Sequence, residues 1–191
     1  MGLRSRKALL NRGKKSRGVA GGAGLGLGER LKPKDLNRQG SQSRVVAHLR
    51  NGQLLKGYAS LLPQNDPDAV LKDRSVALPA EITLRLADST SVARFSQESL
   101  KALFFVKSFE GHALQEEIKH FKNGPPIAGL WVRLRFYDKE FTEGVVRNSL
   151  HFLNGPGFFL KPPDPHSNNE MLYVVKSSLV EFMVRGVRYT Y

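Results

Sequence analysis

A hairpin pattern occurs twice in the chain, 87 residues apart, and restricts the fold more than any other feature. Val45-Val46-Ala47-His48-Leu49-Arg50 alternates apolar and polar residues and runs into Asn51-Gly52, the strongest short hairpin signal. Leu54–Ser60 supplies the returning strand. Val132, Leu134 and Phe136 match Val45, Ala47 and Leu49; Asp138-Lys139 takes the place of Asn51-Gly52, and Gly144 matches Gly57. Further on, the segment Ser99–Lys107 parallels Ser178–Arg185, with Ser99–Val106 matching it residue for residue at a spacing of 79. The shorter spacing is absorbed by a Pro- and Asp-rich insert around Pro63–Ala80 of the first copy. Each copy is then about 60 residues of short twisted strands, a size suited to a small closed barrel.

Between the copies, Leu114, Ile118 and Phe121 fall at i, i+4 and i+7, which predicts one amphipathic helix near Ala113–Lys122. Pro125-Pro126 ends it. The expected organisation is a tail over 1–43, a first barrel over 44–111, a helical connector over 112–128 and a second barrel over 129–191. The chain has no cysteine, which excludes disulfide scaffolds, Cys-ligated zinc, iron–sulfur clusters and thiol nucleophiles. No stretch approaches the roughly 20 apolar residues of a membrane-spanning helix, so integral membrane association is not expected.

Charge is segregated along the chain. Residues 1–44 hold 12 Lys and Arg against 2 acids, and the remaining residues hold 18 against 15. The tail also has 9 of the 18 glycines and no aromatic residue. Such a segment cannot bury enough apolar surface to offset its ordering entropy, and it is expected to be disordered. Its Gly-rich run, Gly18–Gly28, is too rich in glycine for a secretory apolar helix. Arg6 stands where a myristoylation signal needs Ser or Thr. A cytoplasmic location is expected. Arg4, Arg6, Lys7, Arg12, Lys14, Lys15 and Arg17 form a dense cationic run, the equipment for RNA or DNA phosphates.

Motifs with catalytic chemistry are scarce. The glycines match neither a dinucleotide fingerprint nor a P-loop, and no strand pattern precedes them. His112, Glu116 and His120 are spaced to share a helix face and would suit a divalent metal; solvated residues beside the apolar stripe explain the same spacing. Alternation in Trp131–Phe136 sends Val132, Leu134 and Phe136 inward and puts Trp131, Arg133 and Arg135 together on the opposite face. That trio would serve base stacking and phosphate contact. An ordinary solvent face, or a seam between two barrels, would use the same residues. Asp164–Asn169 reads as a tight polar loop.

The segment Leu100–Gly111, together with Gly157-Phe158-Phe159-Leu160, Asp164-Pro165, Ser167–Glu170 and Val174–Ser177, resembles an uncharacterised bacterial family of small Sm-like or SH3-like β-barrel proteins. The resemblance implies a mainly β fold of two tandem small barrels joined by a short helix, and lends no activity. The RNA pocket of Sm proteins does not carry over, because the first copy lacks both the loop Asn and the Arg-Gly of their motifs. The sequence therefore predicts a non-catalytic binding module without cofactor or metal. Its expected ligand is nucleic acid, through the tail and through Trp131, Arg133 and Arg135. The alternative is a protein–protein adaptor whose tail solvates the chain or touches anionic membrane.

Overall fold

The computed structural model describes residues 29–30, 42–62, 69–72, 76–110, 118–122 and 124–189. The alternating segments form strands: β1 (Glu29–Arg30), β2 (Ser43–Leu49), β3 (Leu54–Ala59), β4 (Glu81–Leu86), β5 (Ser91–Ser96) and β6 (Leu100–Val106). They continue as β7 (Gly129–Phe136), β8 (Phe141–Val146), β9 (Gly157–Lys161), β10 (Asn169–Val175) and β11 (Leu179–Arg188). Among the described residues two short α-helices interrupt them, α1 (Ala69–Lys72) and α2 (Leu150–Asn154). These eleven strands of the described residues join one antiparallel sheet in the order β1-β5-β4-β3-β2-β6-β10-β9-β8-β7-β11. Within it, β2–β6 and β7–β11 follow one plan: a four-stranded meander, a 3-10 turn, and a fifth strand returning beside the first.

Local chemistry accounts for the shared plan. In the first hairpin Gly52 takes φ +86°, and the Leu49 amide donates to the Gln53 carbonyl at 2.9 Å. In the second, Lys139 takes φ 71° and the Phe136 amide donates to the Glu140 carbonyl at 2.8 Å. Asn51 Oδ1 and Asp138 Oδ1 each accept the amide two residues on, at 2.9 and 3.2 Å. A left-handed residue after Asn or Asp gives the turn the twist of its strands. Lys139 adopts at some cost what Gly52 adopts freely. The 3-10 turns also match: Ser99 and Ser178 each donate a hydroxyl hydrogen bond of 2.6 Å to the carbonyl three residues back.

Inward-facing residues build two cores that cross the boundary between the units. The first gathers Val45, Ala47, Leu84, Leu100, Leu103 and Phe105, and it includes Met171, Tyr173 and Val175 from β10 of the second unit. The second gathers Val132, Leu134, Phe158, Leu160, Leu172 and Val174, and it includes Ala102 from β6 of the first. Alternation along β6 and β10 sends neighbouring side chains into opposite cores. The β6–β10 ladder, with Phe105 opposite Met171 and Leu103 opposite Tyr173, is the hinge of this exchange. Polar groups fasten the same junction. Buried Lys101 bonds Asp138 at 2.6 Å and Glu140 at 2.5 Å. Buried Gln97 donates its amide to the Tyr173 hydroxyl.

Three sequence expectations change. Neither unit closes into a barrel. Closure would need β5 to meet β6 and β10 to meet β11, but β5 is edged by β1 and β10 pairs with β6 of the other unit. The expected helix over Ala113–Lys122 is not present in its described part, since residues 118–122 carry no helix; residues 111–117 lie outside the described residues. Within the segment expected to lack structure, Glu29 pairs with Val92 and Arg30 with Ser91. The Pro- and Asp-rich insert also contributes to the fold: Val70 and Leu78 lie buried in the first core, a role that composition alone concealed.

Candidate functional site

Trp131, Arg133 and Arg135 share the outer face of β7, as alternation predicts, while Val132, Leu134 and Phe136 are buried. Strand β7 lies between β8 and β11 and away from β6–β10, so the trio is not a seam between the units. Its environment is set by Glu143 of β8, directly opposite Arg133. The Glu143 side chain is only 6% exposed, and its Oε2 accepts the Trp131 indole N–H at 3.1 Å and the Phe121 amide at 3.3 Å. Arg133 Nε lies 4.0 Å from Oε1. Arg135 pairs with Glu181 of β11 at 3.1 Å. Glu143 escaped notice in the sequence because a single acid in an alternating strand reads as a solvent-facing residue.

The aromatic ring of the trio is already contacted. The Arg185 guanidinium sits 5.7 Å from the Trp131 ring centroid, and Phe121 meets Trp131 edge-on at 6.0 Å. Arg133 lies over Phe141 at 4.9 Å. A stacking base would therefore compete with Arg185 for the ring, whereas Arg135 and Arg185 are exposed to a phosphate at the rim. Two carboxylates, Glu143 and Glu181, offset part of this positive charge. The tail cations Arg4, Arg6, Lys7, Arg12, Lys14, Lys15 and Arg17 lie outside the described residues.

Of the three residues spaced for a metal, His112 and Glu116 lie outside the described residues, and His120 is exposed. Among the described residues no group of three or more metal-ligating side chains occurs. Buried Asp164 and Ser167 are used in their own loop: Asp164 Oδ1 accepts the His166 amide at 2.9 Å, and Ser167 Oγ accepts the Asn169 amide at 2.9 Å. Asn168 exchanges two 2.9 Å hydrogen bonds with the Ser108 backbone and so ties that loop to the end of β6. A cavity between the units is lined by Val70, Leu78, Val146, Phe158 and Tyr173, with Arg147 at its wall.

Two titratable groups record the packing at the junction. Burial pushes the Tyr173 hydroxyl up to about 12. His48, whose ring lies 4.3 Å from that of Phe104, is held below its ordinary value of 6.5 by burial and then by the charge of Lys101. A base with a depressed folded pKa contributes stability that is fully present above 6.5 and is lost as pH falls through the folded value. Urea unfolding midpoints are therefore expected to fall on acidification below about pH 6.5, and His48→Gln is expected to flatten this part of the profile. An unchanged slope in that variant would remove His48 as its cause.

The fold and this face define a β-sheet protein of two five-stranded units, with an aromatic–cationic patch on the second. Residues 41–186 match the model of a family of unknown function (DUF6982), and the chain belongs to that family. Neither a curated protein nor a solved structure matches the chain significantly. Among the described residues no helix is long and apolar enough to cross a membrane.

Proposed function

We propose that the chain is a non-catalytic binding module in which a rigid sheet carries a basic segment that engages RNA or DNA. The observation that carries this reading is the charge segregation, +10 over residues 1–44 against +3 over the remainder. Pairing of Glu29–Arg30 with β5 supports it, because the cationic run is then tethered at one end of the sheet. Flexible cations contact backbone phosphates rather than base edges, so sequence preference is weak. Arg135 and Arg185 supply a second, smaller contact on the outer face of the second unit. The meander and returning fifth strand of each unit support the small Sm-like or SH3-like relationship, here in an opened form. A cytoplasmic location is part of the same proposal.

Neutralising about five phosphates gives a log–log salt slope near −4.5 on duplex DNA and a shallower one on single strands. Fluorescence anisotropy of labelled duplex DNA and single-stranded RNA at several salt concentrations measures this slope. Deleting residues 1–28 is expected to remove most of the affinity and leave the far-ultraviolet circular dichroism of the sheet in place. Equal binding by the deleted and full chains would overturn the proposal. The alternative, a protein–protein adaptor, draws support from the apolar edge of β11, where Val180, Val184 and Val187 are exposed.

A further inference from the structure

We propose that the chain forms a two-fold dimer in which β11 pairs antiparallel with β11 of a second copy, centred on Met183. The two ends of the sheet differ. At one end β5 is edged by Glu29–Arg30 and turns exposed Arg94 and Ser96 outward. Charge and a covering segment are the usual means of blunting an edge strand. At the other end β11 is ten residues long, pairs with β7 alone among the described residues, and exposes Val180, Met183, Val184 and Val187. Its ends carry Glu181, Arg185 and Arg188 and a register shift each, between Leu179 and Glu181 and between Val184 and Gly186. Its middle, Phe182–Val184, is regular and apolar, and an apolar edge run is a template for another strand.

The chain itself shows what covers a fifth strand. At the spacing of 79, Val184 corresponds to Phe105 of β6. Phe105 is 1% exposed beneath β10, whereas Val184 is 52% exposed. Beside β11 a groove opens along Phe152, Phe158, Leu179 and Phe182, on the side where β10 fills the corresponding space in the first unit. The second copy's β5 is a poor occupant. Where β10 presents Met171, Tyr173 and Val175, the matching positions of β5 are Val92, Arg94 and Ser96, and Val92 is already paired with Glu29. A head-to-tail contact would also extend without closing, while a two-fold contact closes at two copies.

Symmetry then restricts the register. In an antiparallel ladder, hydrogen-bonded and non-hydrogen-bonded pairs alternate, and a two-fold axis must pass through one such pair. One residue therefore faces its own copy. With Met183 at the axis, Glu181 of each copy stands opposite Arg185 of the other, and Phe182 stands opposite Val184. Opposite charges directly across a ladder are favourable. Centring on Phe182 or on Val184 loses this charge pair, because Glu181 then faces Met183 or Val187. Val184 of the second copy lies on the groove side, next to Phe182.

The chain has no cysteine, so an introduced one is its sole thiol. Directly opposed residues have Cα atoms about 4.5–5.5 Å apart, within disulfide reach. Light scattering of the full chain is expected to give twice the chain mass, and Met183→Lys, which opposes two like charges at the axis, is expected to return it to the monomer. Under mild oxidation Met183→Cys is expected to give a covalent dimer. Val180→Cys, which this register places opposite Gly186, is expected to stay largely uncross-linked. A monomeric full chain, assemblies that grow beyond two copies, or cross-linking at 180 as fast as at 183 would each overturn the proposal. Both positions are exposed, so neither variant is expected to disturb the fold.

Discussion

Met171→Ala is expected to destabilise the protein by about 3 kcal/mol, within the range for truncating a buried methionine, and to do so in the unit to which Met171 does not belong. Met171 is fully buried in the first core although its strand, β10, is the fourth of the second unit. The cavity it leaves opens beside Phe105, its ladder partner. Urea unfolding measures the loss. Amide exchange locates it, with β2, β6 and β10 expected to lose protection together. Faster exchange confined to β7–β9 would show that β10 serves its own unit alone.

An alanine at Gly57 or Gly144 is expected to cost about 3 kcal/mol, the upper end for overpacking, for the same reason in each unit. A Cβ at Gly57 would lie 2.3 Å from the Arg85 carbonyl oxygen and 2.8 Å from Leu84 Cγ. At Gly144 it would lie 2.5 Å from Leu160 side-chain atoms and 2.6 Å from the Lys161 carbonyl oxygen. In both places the second strand of a meander is crossed closely by the third, and backbone cannot retreat as a side-chain tip can. Gly186 is the control. A Cβ there meets only Trp131, at 3.7 Å, and Gly186→Ala is expected to change stability by less than about 0.5 kcal/mol. Equal effects at all three glycines would refute the close-approach explanation.

The hairpins were legible because their signals are local. Alternation over Val45–Leu49 and Val132–Phe136, and a turn pair after each, need nothing beyond neighbouring residues. Gly57 and Gly144 stood out by matching across copies, but their reason lies in strands that sequence spacing does not bring near. The opened sheet was not legible. Whether β10 closes on its own unit or edges β6 of the other depends on a ladder between residues some 70 positions apart in sequence. Met171, Tyr173 and Val175 do carry a trace of it: they stay apolar along the face where β5 keeps Val92 but turns polar at Arg94 and Ser96. For the candidate site, alternation placed Trp131, Arg133 and Arg135 on one face. It left out Glu143 and Arg185, which come from other strands and decide how much of the patch is available.

The two units form one sheet with interpenetrating cores. Equilibrium urea unfolding followed by two signals tests it directly. Trp131 is the only tryptophan and lies in the second unit, so its fluorescence reports that unit, while far-ultraviolet circular dichroism reports both. Coincident transitions are a mark of a single cooperative unit. The shared cores predict that both signals superimpose on one transition with one midpoint. Two separated transitions, with the fluorescence following only one of them, would contradict this and return the molecule to two independent barrels.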